Sequence, residues 1–363
     1  MITIHRSKAI KLKGMDFTLD EIKESRRKNG LLRIGLTIGR GGKERKCNAD
    51  CPYCLENRDK CIPPFSIEKI NSITKEAKQL GAKTIAIIGY GEPLLPFRLE
   101  ETFSVIESIK EKKLTPLLFT NGLCITKEVS KELYKLGTTV ITKLNSFDPL
   151  VQDYLTKRKD SLKNMREGLN ILIETGFNKS FPTRLGLQTG IFHENLKDLP
   201  KLSKFCVEKN IYPYFESLKF IGELQKNPSI YVNKEQLRTI FQSIVKQYPD
   251  LFGTKGKIFL PQGRCCLQHY YGSLFVTPEG VFPCSGIYYK IGDVNRDKLR
   301  DILKNKIIKK LRDLPNFIEG KCTECKYLRN YSSEVPKCYG GCRGNTFALS
   351  GNIFSEDPLC WRH

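Results

Sequence analysis

The chain has 363 residues, 40% hydrophobic and 28% charged, and Lys plus Arg exceed Asp plus Glu by 61 to 39 for a formal charge of +22. That length carries a large core and two domains, and the composition excludes a disordered chain. No apolar run approaches the roughly 20 residues of a membrane span, and MITIHRSKAIKLKG lacks the apolar centre of a signal peptide, so a cytoplasmic protein is expected.

Residues 1–30 read as an N-terminal extension. From 31 to 216 apolar strands alternate with amphipathic segments. Strands are predicted at 31–38, 84–89, 114–120, 138–144, 184–190 and 211–216. A helix is predicted over SIEKINSITKEAKQL, started by Ser66 and Glu68, and another over about 98–112. Six such units form a parallel α/β sheet and are too few to close an eight-stranded barrel, so a partial (β/α)6 barrel is expected. Its chemistry belongs at the C-terminal strand ends. Residues 217–263 read as a connector with one helix, VNKEQLRTIFQSIVKQY. Residues 264–363 read as a small cysteine-rich module held by metal, opening with the hairpin SLFVTPEGVFPC and continuing through a helix near 297–313.

The basic residues are scattered along the chain rather than gathered in an aromatic-interleaved stripe, so solvated faces are favoured over a nucleic-acid partner. An acidic leader, a sugar phosphate or a nucleotide would suit the charge equally well. Fourteen cysteines in a reducing compartment point to metal or catalysis rather than disulfides. Cys47, Cys51, Cys54 and Cys61 lie in the long loop after the first strand, over the active face. A structural zinc asks for four protein ligands, and so does an ordinary iron–sulfur cube. The CxxxCxxC of CNADCPYC leaves one position open for a reactant.

This motif resembles the signature of the radical S-adenosylmethionine (SAM) enzymes. Its company strengthens the resemblance: Gly89-Tyr90-Gly91-Glu92-Pro93 after the second strand, where that family carries GGEP, Thr120-Asn121-Gly122 at the third strand end and Asn145-Ser146 after the fourth. The resemblance implies that Cys47, Cys51 and Cys54 hold three irons of a [4Fe-4S] cluster whose fourth iron binds SAM. One electron from the cluster then yields a 5′-deoxyadenosyl radical that takes a substrate hydrogen. It gives Glu92 and the backbone of Gly89, Tyr90 and Gly91 to the methionine ammonium, and the Tyr53 backbone to the adenine with its ring nearby. Asn121 and Ser146 would reach the ribose, although Asn121 equally suits a cap of the following helix. Flavodoxin or ferredoxin would supply the electron.

The cysteines of VFPC, KCTEC, CYGGCRG and DPLC resemble the SPASM domain, which carries two auxiliary [4Fe-4S] clusters and so favours net oxidation. The resemblance assigns Cys322, Cys325, Cys338 and Cys360 to one cluster. It assigns Cys284, Cys342 and one or both of Cys265 and Cys266 to the other, and an open iron or a non-cysteine ligand there remains possible. Three departures stand out: Gly280-x3-Cys284 instead of Gly-x4-Cys, an insertion at 326–337, and the adjacency of Cys265 and Cys266, whose side chains would point to opposite faces of an extended chain. One or two structural zinc sites are the alternative for this region.

Among single residues, Glu216 ends the sixth strand and is a candidate to bind substrate or accept a proton, and Cys61 is a candidate hydrogen donor. Cys206 reads as a small buried hydrophobe, and His193 and His269 as satisfied polar residues rather than acids or bases. SPASM enzymes mostly modify peptides and proteins, so oxidation or crosslinking of a peptide or protein side chain is expected. A carbohydrate-type epimerase or dehydrogenase is the alternative, and a zinc- or cluster-bearing nucleic-acid-binding protein the remote one. The 46 residues before Cys47 leave no room for the leader-binding domain of many peptide maturases.

Overall fold

The computed structural model describes residues 10–44, 46–56, 61–248, 266–329 and 338–361. Cys265, residues 249–263 of the connector and residues 330–337 of the insertion lie outside the described residues.

Six parallel strands form the core of one sheet: β1 (Arg33–Ile38), β4 (Thr84–Gly89), β5 (Thr115–Thr120), β6 (Thr139–Lys143), β7 (Leu185–Ile191) and β8 (Tyr212–Ser217), paired in that order. In the loop after β1, β2 (Gly41–Gly42) and β3 (Cys61–Ile62) make a short antiparallel ladder. The helices of the α/β units are α2 (Ile67–Gln79), α3 (Leu99–Glu111), α4 (Lys127–Lys135), α5 (Pro149–Thr156), α6 (Ser161–Thr175) and α7 (Leu199–Lys209). Strand alternation sorts side chains between two faces. Ile85 and Ile87 join the main core, together with Ile70, Ile73 and Ile106 of the helices. Ala86, Leu117, Ile141 and Tyr212 point the other way and close around Leu12 and Met15.

Leu12 and Met15 of the N-terminal extension therefore fill the inside of the partial barrel. Leu12 is fully buried and forms a parallel bridge with Thr183. The helix that follows, α1 (Leu19–Arg27), starts at a capping box in which Thr18 accepts from Glu21 N and Glu21 accepts from Thr18 N.

Beyond β8, α8 (Lys234–Gln247) packs on α7. The short α9 (Gln268–Tyr271) leads into β9 (Ser273–Thr277) and β10 (Gly280–Phe282). The sequence sets this hairpin in the second domain. In the structure β9 runs parallel along β1, Arg33 facing Ser273 and Leu36 facing Val276, so the sheet has eight strands in the order β10-β9-β1-β4-β5-β6-β7-β8. The helix expected near 297–313 is two, Leu299–Ile302 and Lys306–Arg312. The Asn305 side chain accepts from Ile307 N and restarts the chain as a new helix.

Candidate active site

The loop 39–66 lies over the C-terminal ends of the strands, and one contact pins it. Lys46 pairs with Gly91 across an isolated parallel bridge, and Glu92 N donates to Lys46 O at 2.9 Å. Gly91 adopts φ +76°, and a Cβ there would sit 1.9 Å from Lys46 O, so only glycine fits. The motif after β4 and the cysteine loop are thereby one unit.

Cys47, Cys51 and Cys54 all line a cavity of about 270 Å³, together with Gly89, Tyr90, Gly91, Glu92 and Asn121. Burial pushes the Cys51 thiol up, while Lys143 and the Tyr53 hydroxyl oppose it. Tyr53 is buried against Phe192, ring centroids 4.6 Å apart, and its hydroxyl accepts from Asn145 Nδ2 at 2.8 Å while bonding to Cys51. Its ring thus braces the thiol loop.

Glu92 is buried, with Oε1 accepting from Thr120 Oγ1 at 2.6 Å and Leu94 N at 3.0 Å, and Oε2 from Asn121 N at 2.7 Å. Burial nevertheless raises its pKa above the usual carboxylate value. Among the described residues Oε2 accepts one donor and Oε1 two, which leaves Oε2 a lone pair for a ligand in the cavity. Asn121 Nδ2 donates to Asn48 Oδ1 at 2.7 Å and lies 3.9 Å from Cys47 Sγ. Its Oδ1 accepts from Leu123 N at 2.9 Å, closing a local turn, while Thr126 caps α4. Tyr90, which stands where GGEP has glycine, packs its ring on Gly41 and turns its hydroxyl to Thr277 of β9, with its pKa raised to about 12 by burial.

Glu216 lines the same cavity, but its carboxylate is engaged. Oε2 accepts from Gln188 Nε2 at 2.9 Å and Oε1 pairs with Lys219 Nζ. Despite burial, Lys219 holds the Glu216 pKa below the usual value, so the carboxylate stays ionised and is a weak base. Two further candidates lie off the cavity lining. Ser146 does not line the cavity: its hydroxyl donates to Asp198 Oδ2 and accepts from Asp148 N, and Asn145 takes the cavity position instead. Cys61 is exposed in the β2–β3 ladder, outside the cavity lining. His193 and His269 also lie outside it, and His269 is buried and held neutral, its pKa lowered to about 3 by burial and the charges of Arg343 and Arg312. Cys206 is a fully buried core residue.

The sequence reading missed Lys143, Gln188, Tyr214 and Lys219 on the cavity wall. Lys143 ends β6, so the strand-end rule that singled out Glu216 was signal enough to find it.

The C-terminal thiols form two sets. Cys266, Cys284 and Cys342 act on one another electrostatically, and burial pushes Cys284 up to about 12. Cys322, Cys325 and Cys338 form the second set, with Cys322 pushed up to about 11 by burial. The Asp357 backbone N–H donates to Cys322, and Cys360 N donates to Asp357 O at 2.9 Å, so the turn carrying Cys360 abuts this set. The buried guanidinium of Arg343 feels Cys322, Cys342 and Cys338 together. A second cavity, of about 290 Å³, holds Cys266 and Cys342 and shares Tyr214, Glu216, Ser217, Lys219 and Ser285 with the first.

The chain matches the radical SAM superfamily over residues 45–206 and the SPASM iron–sulfur cluster-binding domain over residues 265–326. It is 24% identical over 347 residues to the AdoMet-dependent heme synthase of Methanosarcina barkeri, covering 86% of this chain and 93% of that protein. Among solved structures, anSMEcpe with bound AdoMet aligns with a TM-score of 0.65 at 15% identity, over 90% of this chain and 93% of that one. Streptococcus suis SuiB bound to precursor peptide SuiA aligns with a TM-score of 0.63 at 16% identity, over 94% and 79%. At these identities the two structures share the fold. Among the described residues no helix is long and apolar enough to cross a membrane.

Proposed function

Because this chain belongs to the radical SAM superfamily and carries a SPASM domain, we propose that it is an oxidoreductase that cleaves SAM reductively and oxidises a peptide or protein side chain. The observation that supports this reading is the wall that the two cavities share. This wall, made of Tyr214, Glu216, Ser217, Lys219 and Ser285, faces Cys47, Cys51 and Cys54 on one side and Cys266 and Cys342 on the other. A substrate resting on that wall is within reach of both thiol sets.

The donor sets fit their groups. Three thiols in one loop suit three irons of a [4Fe-4S] cluster and leave the fourth for SAM. Cys266, Cys284 and Cys342 would hold one auxiliary cluster, and Cys322, Cys325, Cys338 and Cys360 another. Among the described residues no three His, Cys, Asp or Glu side chains converge tightly enough for a single metal ion. When bound, the first cluster supplies the electron that breaks SAM into methionine and a radical that abstracts hydrogen. The chain's own residues position and shield. Glu92 Oε2 would accept from the methionine ammonium, and Lys143 would meet the methionine carboxylate. Tyr53 and Phe192 keep water from the thiol loop, and Tyr214, Phe275 and Tyr288 give the substrate an aromatic wall.

One observation favours a second reading, a carboxylate-bearing small molecule. The relative from M. barkeri is named a heme synthase, and the similarity covers 93% of it.

The test is iron, sulfide and zinc per chain after anaerobic reconstitution, with 5′-deoxyadenosine measured after dithionite. About twelve irons, falling to about eight in the Cys47/Cys51/Cys54→Ala variant with loss of 5′-deoxyadenosine, is the expected result. About four irons falling to none, with zinc retained, would overturn the auxiliary clusters. A full iron complement without 5′-deoxyadenosine would overturn the radical chemistry. Peptides and a porphyrin carboxylate, supplied in parallel, separate the two substrate classes by which one raises 5′-deoxyadenosine.

A further inference from the structure

Cys47 and Ala49 line the inner cavity and also a surface depression of about 510 Å³ on its outer side. The first thiol of the cluster loop thus stands between the inner cavity and the outer surface. The rim of the depression is basic. Lys43, Lys157 and Arg158 line it, all exposed, and Lys159 follows, also exposed. Arg158 Nη1 donates to Asn48 O at 2.8 Å, and Asp50 N donates to Thr156 O at 2.9 Å, so the basic segment after α5 is tied directly to the cysteine loop. The acidic groups nearby are mostly engaged: Asp153 accepts from Asp160 N and Ser161 N, Glu44 is paired with Arg40 at 2.8 Å, Asp50 lines the depression and Asp160 ends the basic run. Beside the cations, α5 exposes Leu150 (81%) and Tyr154 (52%), one helical turn apart.

We propose that this face is the docking surface of the electron donor, a small acidic one-electron carrier with its redox group near its own surface. The inference rests on the radical SAM reading above and names the partner of that site. One electron leaves the reduced donor and enters the cluster held by Cys47, Cys51 and Cys54; no bond forms or breaks and no proton moves. Electron transfer weakens steeply with distance, and Cys47, which lines both spaces, offers a short approach from outside. Exposed cations around it attract an acidic partner and orient it, which acts mainly on the association rate and is screened by salt. Leu150 and Tyr154 supply the apolar contact that holds such an encounter in place.

The experiment uses the reconstituted full chain and reduced flavodoxin as the probe. Three proteins are compared: wild type, the Lys43→Glu/Lys157→Glu/Lys159→Glu variant, and a Lys309→Glu/Lys310→Glu control. The control reverses charge on the helix Lys306–Arg312, which packs on α9. Flavodoxin binding is read by calorimetry, and cluster reduction by stopped-flow absorbance at low and physiological salt. In the first variant, binding and flavodoxin-driven reduction fall at least tenfold at low salt, while 5′-deoxyadenosine formation with dithionite stays at the wild-type level. The wild-type rate falls towards that of the variant as salt is raised. Unchanged flavodoxin-driven reduction in the first variant, or an equal loss in the control, overturns the docking surface. No dithionite-driven cleavage by the wild type overturns the radical reading itself, and the inference with it.

Discussion

Glu92 carries its charge where burial works against it. Three hydrogen bonds hold the carboxylate, yet burial still raises its pKa, so the proton is retained to higher pH than in the unfolded chain. Binding of the methionine ammonium needs the ionised form. Affinity for SAM should therefore fall as pH is lowered, starting above the ordinary carboxylate range, as titration calorimetry on the holoenzyme would show. Glu92→Gln should bind SAM about ten- to a hundredfold more weakly and lose that pH dependence, since a hydrogen bond to a charged group is worth about 1.5–3 kcal/mol. Glu216 behaves in the opposite way. Its pKa is lowered against its burial by Lys219, so the pair stabilises the fold above the usual value of 4.5, and that contribution is lost as pH falls through the depressed one. Lys219→Met leaves the carboxylate buried and unpaired, and should cost about 3–5 kcal/mol in denaturant unfolding. Adding Glu216→Gln to it should restore most of that loss, because removing a whole buried pair is far cheaper than removing half. Recovery would separate the electrostatic role from simple packing.

At the scale of the element, the sheet divides into a part the sequence shows and a part it hides. Each of the six core strands lies within two residues of its predicted span, because buried parallel strands are short apolar runs bounded by helical periodicity. The cysteine loop and the motif after β4 were legible for a related reason: their spacing carries the chemistry. The pairing of β9 with β1 was not legible. Periodicity tells which residues face a core, and says nothing about which edge a distant hairpin joins. The hydrogen-bond partners of Glu216 and Ser146 were hidden at the same level, since a strand-end position shows where a side chain starts but not which neighbour takes its hydrogen bonds. The hairpin matters to the barrel: it covers the free edge of β1, and an open edge is a template for association. A chain ending at residue 263 should therefore aggregate, whereas the barrel would stay monomeric on size exclusion if it were independent of the hairpin.

Over the whole molecule, apolar packing is unevenly shared. The main core runs through the strands and their helices. The C-terminal cluster is small, built around Ile287, Leu311, Leu314, Ile318 and Leu328, and two of its buried members are Cys284 and Cys322. A core that small is expected to lean on metal for its folding energy. Iron removal should produce a separate, lower-temperature transition in calorimetry. The Cys47/Cys51/Cys54→Ala variant, which keeps its C-terminal thiols, should not show it. A single unshifted transition in the iron-free protein would mean that the C-terminal part folds on apolar contacts alone.

The strand order also sets a timetable for synthesis. β1 ends at Ile38 and its neighbour β9 begins at Ser273, so on the ribosome one side of β1 waits for almost two thirds of the chain. At typical translation speeds that wait is on the order of 10–50 s. During it the nascent barrel presents an unpaired strand, and the CNADCPYC loop, already made, has no hairpin beside it. Chaperone capture and iron–sulfur delivery would compete for the same interval, and the arrival of the last hundred residues closes it.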